Sequence, residues 1–348
     1  MKKEILKNSI ANLISNKAFI RTYRPIINHM RSSYGCVIVN FHQFYNKENG
    51  FVKKGPSVHT HIDDFGEFID ILKQRFEPIS MDILAKHLHS KKSLENDSFL
   101  ITMDDGYENN LTLGAPILKK SQIRATLYIA TGFIGTNKLL PMDMIDYALR
   151  QTQKVRFEWN YIKGETLEID TIEKRQIINN RIGEIIKYLP TYKLSNALSK
   201  LYESLDVDML FSSNNMLDWN QVKHLLDYDI DIGSHGVSHT CMTTLKEEEA
   251  TNEIHISKKE IIKNTGYNPI HFAFPNGTEK DFNDTLRNEA IRAGYKTIAS
   301  VTRGINIPGI TNPYNINRVG MIGSPSRSLL YIEKMFLKTQ RKIKKKNI

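Results

Sequence analysis

Short apolar runs that stop abruptly at acid–base or metal-binding side chains recur along this chain, and that recurrence constrains its fold more than any other feature. Phe99-Leu100-Ile101-Thr102-Met103 stops at Asp104-Asp105-Gly106, and Asp231-Ile232-Gly233-Ser234 stops at His235. Val37-Ile38-Val39-Asn40-Phe41 runs in the same way into His42. Each reads as a buried strand that delivers polar side chains to the end of a sheet. Further strands are expected at 125–130, 271–274 and 297–300. Segments of helical period separate them, at 62–76, 80–88, 113–120, 219–226, 246–266 and 281–294. Repeated βα units with chemistry at the strand ends argue for an α/β barrel.

The chemistry at those ends is complementary. His235 and His239, four residues apart, can converge on one ion with a carboxylate from the Asp104-Asp105 pair. Two imidazoles and one oxygen form an open catalytic shell for zinc or a similar divalent cation. The second carboxylate is then free to act as a base. Taken singly, adjacent aspartates are ordinary turn formers and a histidine pair is a common surface feature. Together, at the carboxyl ends of two apolar runs, they point to a shared metal site.

These residues resemble the motifs of the polysaccharide deacetylases. Thr102-Met103-Asp104-Asp105-Gly106 is similar to the family's first motif, Thr-Phe-Asp-Asp-Gly, and His235-Gly236-Val237-Ser238-His239 to its second, with Gly236 where a hydroxyl residue is usual. Phe272-Ala273-Phe274-Pro275-Asn276-Gly277 resembles the third motif of the branch with Phe-Ala-Tyr-Pro-x-Gly, which lacks the motif's usual arginine. Trp219 leads into the histidine motif much as it does in members. The resemblance spans roughly residues 35 to 322 and implies a distorted, incomplete (β/α)7 barrel.

It also implies roles. Asp105, His235 and His239 would hold the metal, and Asp104 would take a proton from the attacking water. Asn276 would offer its backbone N–H to the acyl oxygen, with Pro275 and Gly277 shaping the turn. The family's C-terminal Leu-x-His is missing, since no histidine follows His271. Val37 to His42 resembles the Tyr-His element that opens the domain in the Phe-Ala-Tyr-Pro branch, which makes His42 the expected general acid, with His271 as second candidate; Arg318 resembles an arginine of the same branch and is expected to orient Asp104 in place of the missing one.

With 348 residues, 40 % of them hydrophobic, the chain can bury a large core. Three regions are expected: an N-terminal helical arm at 1–33, a catalytic domain at 34–322 and a C-terminal tail at 323–348. The domain carries an insertion at 141–215 that breaks the βα rhythm, with a hairpin near 159–169 and helices at 171–188 and 191–204. A long polar loop is expected from Tyr45 to His61. The two cysteines, Cys36 and Cys241, suggest no disulfide framework.

The net charge of +10 is concentrated at the ends. The tail's seven basic residues from Lys334 to Lys346 flank Leu329, Leu330, Ile332, Met335, Phe336 and Leu337. This reads as a basic amphipathic segment for a membrane surface. Ile5, Leu6, Ile10, Leu13 and Ile14 form a similar pattern. No interleaved aromatic and basic surface speaks for nucleic acid. Neither a secretion-signal core nor a run of about 20 apolar residues occurs, so the expected location is the cytoplasm, peripheral on the inner face of the cell membrane.

The expected function is metal-dependent removal of an N-acetyl or N-formyl group from an amino sugar in a surface-glycan precursor, lipid-linked or nucleotide-linked. Zinc is the first choice of metal, ahead of cobalt, nickel, manganese or iron. Two alternatives stand beside it: a glycan-binding protein on a degenerate deacetylase scaffold, and a hydrolase of a non-sugar amide or imide.

Overall fold

The structure is a computed structural model that describes residues 2–29, 33–46, 59–209 and 216–346. Two helices, α1 (Lys2–Ser15) and α2 (Lys17–His29), precede β1 (Cys36–Phe41). β2 (Gln43–Tyr45) and β3 (His59–His61) pair with each other, and α3 (Ile62–Arg75) follows. β4 (Glu77–Pro78) and α4 (Met81–Ser90) lead to β5 (Ser98–Asp105). A π-helical turn, Asn110–Gly114, then runs into α5 (Ala115–Lys120) and β6 (Ala125–Ile129). Next come α6 (Pro141–Gln151), the hairpin β7 (Arg156–Trp159) and β8 (Ile162–Glu168), α7 (Ile172–Lys187) and α8 (Thr191–Leu205). Alternation resumes with α9 (Trp219–Leu226), β9 (Ile230–Ser234), α10 (Glu247–Thr265), β10 (His271–Ala273), α11 (Asp284–Arg292) and β11 (Thr297–Ala299). β12 (Val319–Gly320) and α12 (Pro325–Lys346) complete the order.

One parallel sheet organises the molecule, in the order β11-β10-β9-β6-β5-β1-β12, with β4 also pairing β5. Every strand of it is parallel to its neighbours, and β1, β5, β6 and β9 are buried throughout. This is the expected α/β fold, a curled half-barrel of the (β/α)7 type with helices around it. Parallel pairing aligns the carboxyl ends of the strands, so residues that follow them share one rim.

Caps set the helix boundaries. Asn283 Oδ1 accepts the Leu286 N–H at 2.9 Å, which starts α11 at Asp284, three residues later than the periodicity suggested. Asp218 and Gln221 close a reciprocal capping box at the start of α9.

The residues of α6 to α8 and the β7–β8 hairpin pack around their own apolar cluster, centred on Trp159, Ile182, Leu201 and Tyr202. The expected Tyr45–His61 loop falls mostly outside the described residues, as do 30–32 of the arm and 210–215 at the end of the insertion.

The apolar side of the C-terminal segment differs from expectation. Leu329, Ile332, Phe336 and Ile343 belong to the main core, and Phe336 stacks on Phe76 at 5.2 Å. Beneath them Glu333 pairs with buried Arg75, which also faces Asp97 at 3.5 Å. The face assigned to a membrane is thus buried on the barrel, because an amphipathic helix carries the same pattern whether its apolar side meets lipid or protein. Only Leu337 of that set is exposed.

Candidate metal and acid–base site

The rim gathers the motif residues. Register places Asn40 beside Thr102, Asp104 beside Tyr128, and Ser234 beside both Ile129 and Phe272, so the ends of β1, β5, β9 and β10 surround one cavity. The cavity holds about 380 Å³ and is lined by His42, Asp104, Asp105, His235, His239, Asn276 and Arg318. Three of these, Asp105, His239 and Asn276, have left-handed backbones, with φ of 79°, 55° and 62°. Such conformations cost roughly 1–3 kcal/mol each outside glycine and persist where surrounding structure imposes them.

Asp105, His235 and His239 offer ligand atoms that all lie within 4.8 Å of one another. Asp105 Oδ1 is 3.1 Å from His239 Nε2 and 3.5 Å from His235 Nε2, and it is buried with no hydrogen-bond partner among the described residues. An orphaned carboxylate oxygen facing two imidazole nitrogens fits a divalent cation. Burial pushes the His235 imidazole down to about 4, so it stands neutral, the form that binds metal. His235 Nδ1 lies 2.7 Å from the Ala273 carbonyl; donating its N–H there leaves the Nε2 lone pair facing the cluster. Burial opposes charge on Asp105, but His239 outweighs it and holds the carboxyl well below the usual carboxylate range.

The loop between the histidines is fixed from α10. Glu253 Oε2 accepts the N–H groups of Val237 and Ser238 at 2.6 and 2.9 Å. Gly236 has φ of 77°, and a Cβ there would sit 3.0 Å from Glu253 Oε2 and from Met242 Cε. That crowding accounts for glycine where the motif usually carries a hydroxyl residue.

Asp104 is held on both oxygens. Arg318 Nη1 donates to Oδ1 at 2.7 Å and Asn40 Nδ2 to Oδ2 at 2.9 Å. Arg318 also reaches Asn40 Oδ1 at 3.0 Å and, through Nε, the Ser300 carbonyl at 3.0 Å. Burial raises the Asp104 carboxyl, yet Arg318, with His235 and His42, keeps it below its ordinary value. It is an ionised acceptor in a dry place.

His42 Nε2 is 3.7 Å from Asp104 Oδ2, and its carbonyl is anchored by Asn110 Nδ2 at 2.6 Å from the π turn that follows the aspartates. The Asn276 N–H donates no hydrogen bond among the described residues. His271 lies elsewhere. It is fully buried between Thr297 Oγ1 at 2.8 Å and Asp82 Oδ1 at 3.1 Å and lines no part of the cavity, so it is not a second candidate for the acid.

Several further residues of the site carry no motif. Asn40, which holds Asp104, stands out only as a polar residue inside an apolar strand. Asp143, Glu184 and Lys187 come from α6 and α7 and had no motif to mark them. Asp143 receives the Tyr107 hydroxyl at 2.9 Å and Gln43 Nε2 at 3.3 Å, and burial raises its carboxyl to about 7.

A parallel barrel sheet whose rim carries an Asp-His-His cluster beside a fixed carboxylate is the frame of a hydrolase. The chain belongs to the polysaccharide deacetylase family, whose model matches residues 91–298. It is a hydrolase of carbon–nitrogen bonds other than peptide bonds, acting on acetylated carbohydrate. Solved structures share the fold. A Streptococcus pyogenes deacetylase, PplD, in complex with acetate matches with TM-score 0.55 at 17 % identity, over 86 % of this chain and 98 % of that chain. IcaB from Ammonifex degensii matches with TM-score 0.55 at 14 % identity, over 86 % and 97 %. BC0361, a polysaccharide deacetylase from Bacillus cereus, gives 0.53 at 13 %, over 86 % and 69 %. No curated protein sequence matches the chain.

Proposed function

We propose that this hydrolase removes the N-acetyl group from an amino sugar within a surface-glycan precursor, using a divalent cation, zinc by preference, held by Asp105, His235 and His239. The observation that carries the reading is Asp104, a buried carboxylate fixed by Arg318 and Asn40 beside the three-ligand cluster. A pure binding surface has no use for an ionised base held there against burial.

When bound, the cation supplies Lewis acidity, making water a nucleophile at neutral pH and drawing electron density from the acyl oxygen. Asp104 Oδ2 takes the proton of the attacking water while Arg318 keeps the carboxylate ionised and oriented. The Asn276 N–H, without a partner among the described residues, donates to the acyl oxygen as it gains negative charge. His42, within reach of Asp104, hands a proton to the departing amine. Asp143, Glu184 and Lys187 wall the cavity from the side of α6 and α7 and shape which sugar enters.

A second cavity of about 580 Å³, sharing His42, Val301 and Arg318 with the first, offers space for whatever the sugar is attached to. That supports a linked precursor over a free monosaccharide.

The test is mass spectrometry of acetylated oligosaccharides and carrier-linked amino sugars after incubation with zinc-loaded protein. Loss of an acetyl mass from an amino sugar is expected. An unchanged pool, with the sugars retained on the protein, would establish a binder instead, and release of a formyl group would redirect the substrate. Asp104→Asn should lower kcat by about 10²–10⁴-fold while metal remains bound; unaltered turnover would remove Asp104 from the role of base.

A further inference from the structure

Charge on this chain is segregated to its two ends, and the fold joins those ends. Residues 1–35 and 323–348 hold 15 of the 48 lysines and arginines and 2 of the 38 acids, which leaves 33 basic and 36 acidic residues for everything between. α1 lies along α12: Ser15 Oγ donates to Ser326 Oγ at 2.9 Å, and Glu4 pairs with Arg327. The joined terminal segments thus carry an excess of 13 positive charges, against an excess of 3 negative charges on the rest.

The outer side of α1 is apolar. Its side toward α12 carries Glu4, fully buried Ala11 and Ser15, which share a face at 3.6 residues per turn. Leu6, Ile10 and Leu13 fall on the opposite side and are 60, 41 and 53 % exposed. α2 adds Phe19 and Ile26, seven residues apart, 37 and 59 % exposed. Lys7, Lys17 and Arg21 are exposed among them, and Lys338, Arg341 and Lys342 are exposed on α12.

A helix that serves only a soluble fold turns polar residues to water on its far side. Here leucine and isoleucine face outward, flanked by cations, and an exposed apolar patch marks a partner site. The partner must satisfy both chemistries. A nucleic acid would engage the cations through its phosphates and leave Leu6, Ile10 and Leu13 in water. An anionic bilayer takes both, the cations at its headgroups and the apolar side chains at the acyl boundary.

We propose that the outward face of α1 and α2, beside basic α12, docks on an anionic phospholipid surface, with Leu6, Ile10 and Leu13 as the inserted side chains. The apolar contact comes from the N-terminal helices, and α12 contributes chiefly charge because its apolar side, Leu337 apart, is buried. This docking does not rest on the deacetylation reading.

The full chain is sedimented with vesicles of phosphatidylcholine alone and with about 30 mol % phosphatidylglycerol. Binding should rise by about tenfold or more with the anionic lipid and fall with added salt. The triple variant Leu6→Ser, Ile10→Ser, Leu13→Ser should lose about tenfold or more of that binding with an unchanged thermal melt. A second variant, Lys338→Glu, Arg341→Glu, Lys342→Glu, should weaken binding to anionic vesicles only. Equal partitioning onto neutral and anionic vesicles overturns the proposal, as does tighter binding to an RNA or duplex oligonucleotide than to anionic vesicles. So does a triple variant that melts and sediments like the parent. Should the triple variant melt lower, the charge variant decides alone, and its unchanged partitioning rejects the docking.

Discussion

Arg318 is the residue on which the base depends most. Its guanidinium spans three acceptors, Asp104, Asn40 and the Ser300 carbonyl, from a fully buried position. A lysine keeps the charge but not the fork, so Arg318→Lys should lower kcat about 10–100-fold with KM little changed, measured by steady-state kinetics on a soluble acetylated oligosaccharide. Asp143 makes a prediction of the opposite electrostatic kind. Burial raises its carboxyl to about 7, so folding favours its protonated form. Its contribution to stability is present below about pH 4, the unfolded value, and is lost as pH rises through about 7. Asp143→Asn, which keeps the shape and cannot ionise, should therefore melt close to wild type at about pH 4 and a few degrees higher at pH 8, in thermal scans of the metal-free chain. Equal melting temperatures at both pH values would show that Asp143 carries no such penalty.

At the scale of elements, what could be read from the residues and what could not divides on distance along the chain. The strands were legible because each is a short apolar run, and the grouping of Asp105 with His235 and His239 was legible because Asp105 and His235 follow two of those runs and His239 stands four residues beyond. Arg318 was suggested by resemblance alone, and only the β1–β12 pairing shows it arriving beside Asp104. The apolar face of α12 was legible as amphipathic but not as to its partner, since period says nothing about what covers a face. Asp143, Glu184 and Lys187 lie on helices whose pattern records only their own cluster around Trp159. Two predictions belong here. Phe336→Ala should destabilise the fold by about 3–5 kcal/mol, seen in urea denaturation, because Phe336 is buried against Phe76. Glu253→Ala leaves two backbone N–H groups of the His235–His239 loop unpaired and should weaken zinc affinity about 10-fold or more, in a competition titration against a chelator.

The whole molecule is a scaffold that converges distant parts of the chain on one rim. Chelation of a bound divalent ion should abolish turnover and leave the sheet intact, with activity returning on zinc addition; circular dichroism and turnover, followed together, separate the two effects. The pairing of Arg318 with Asp104 joins residues 214 positions apart, and Arg318 stands just before β12, the strand that flanks β1. The segment after β12 supplies α12, which seats on the core through Phe336 and on Arg75 through Glu333. A barrel that has closed everything up to β11 but not yet seated β12 against β1 therefore holds its three-ligand cluster with the guanidinium still missing from its base, so hydrolytic competence is among the last things folding confers.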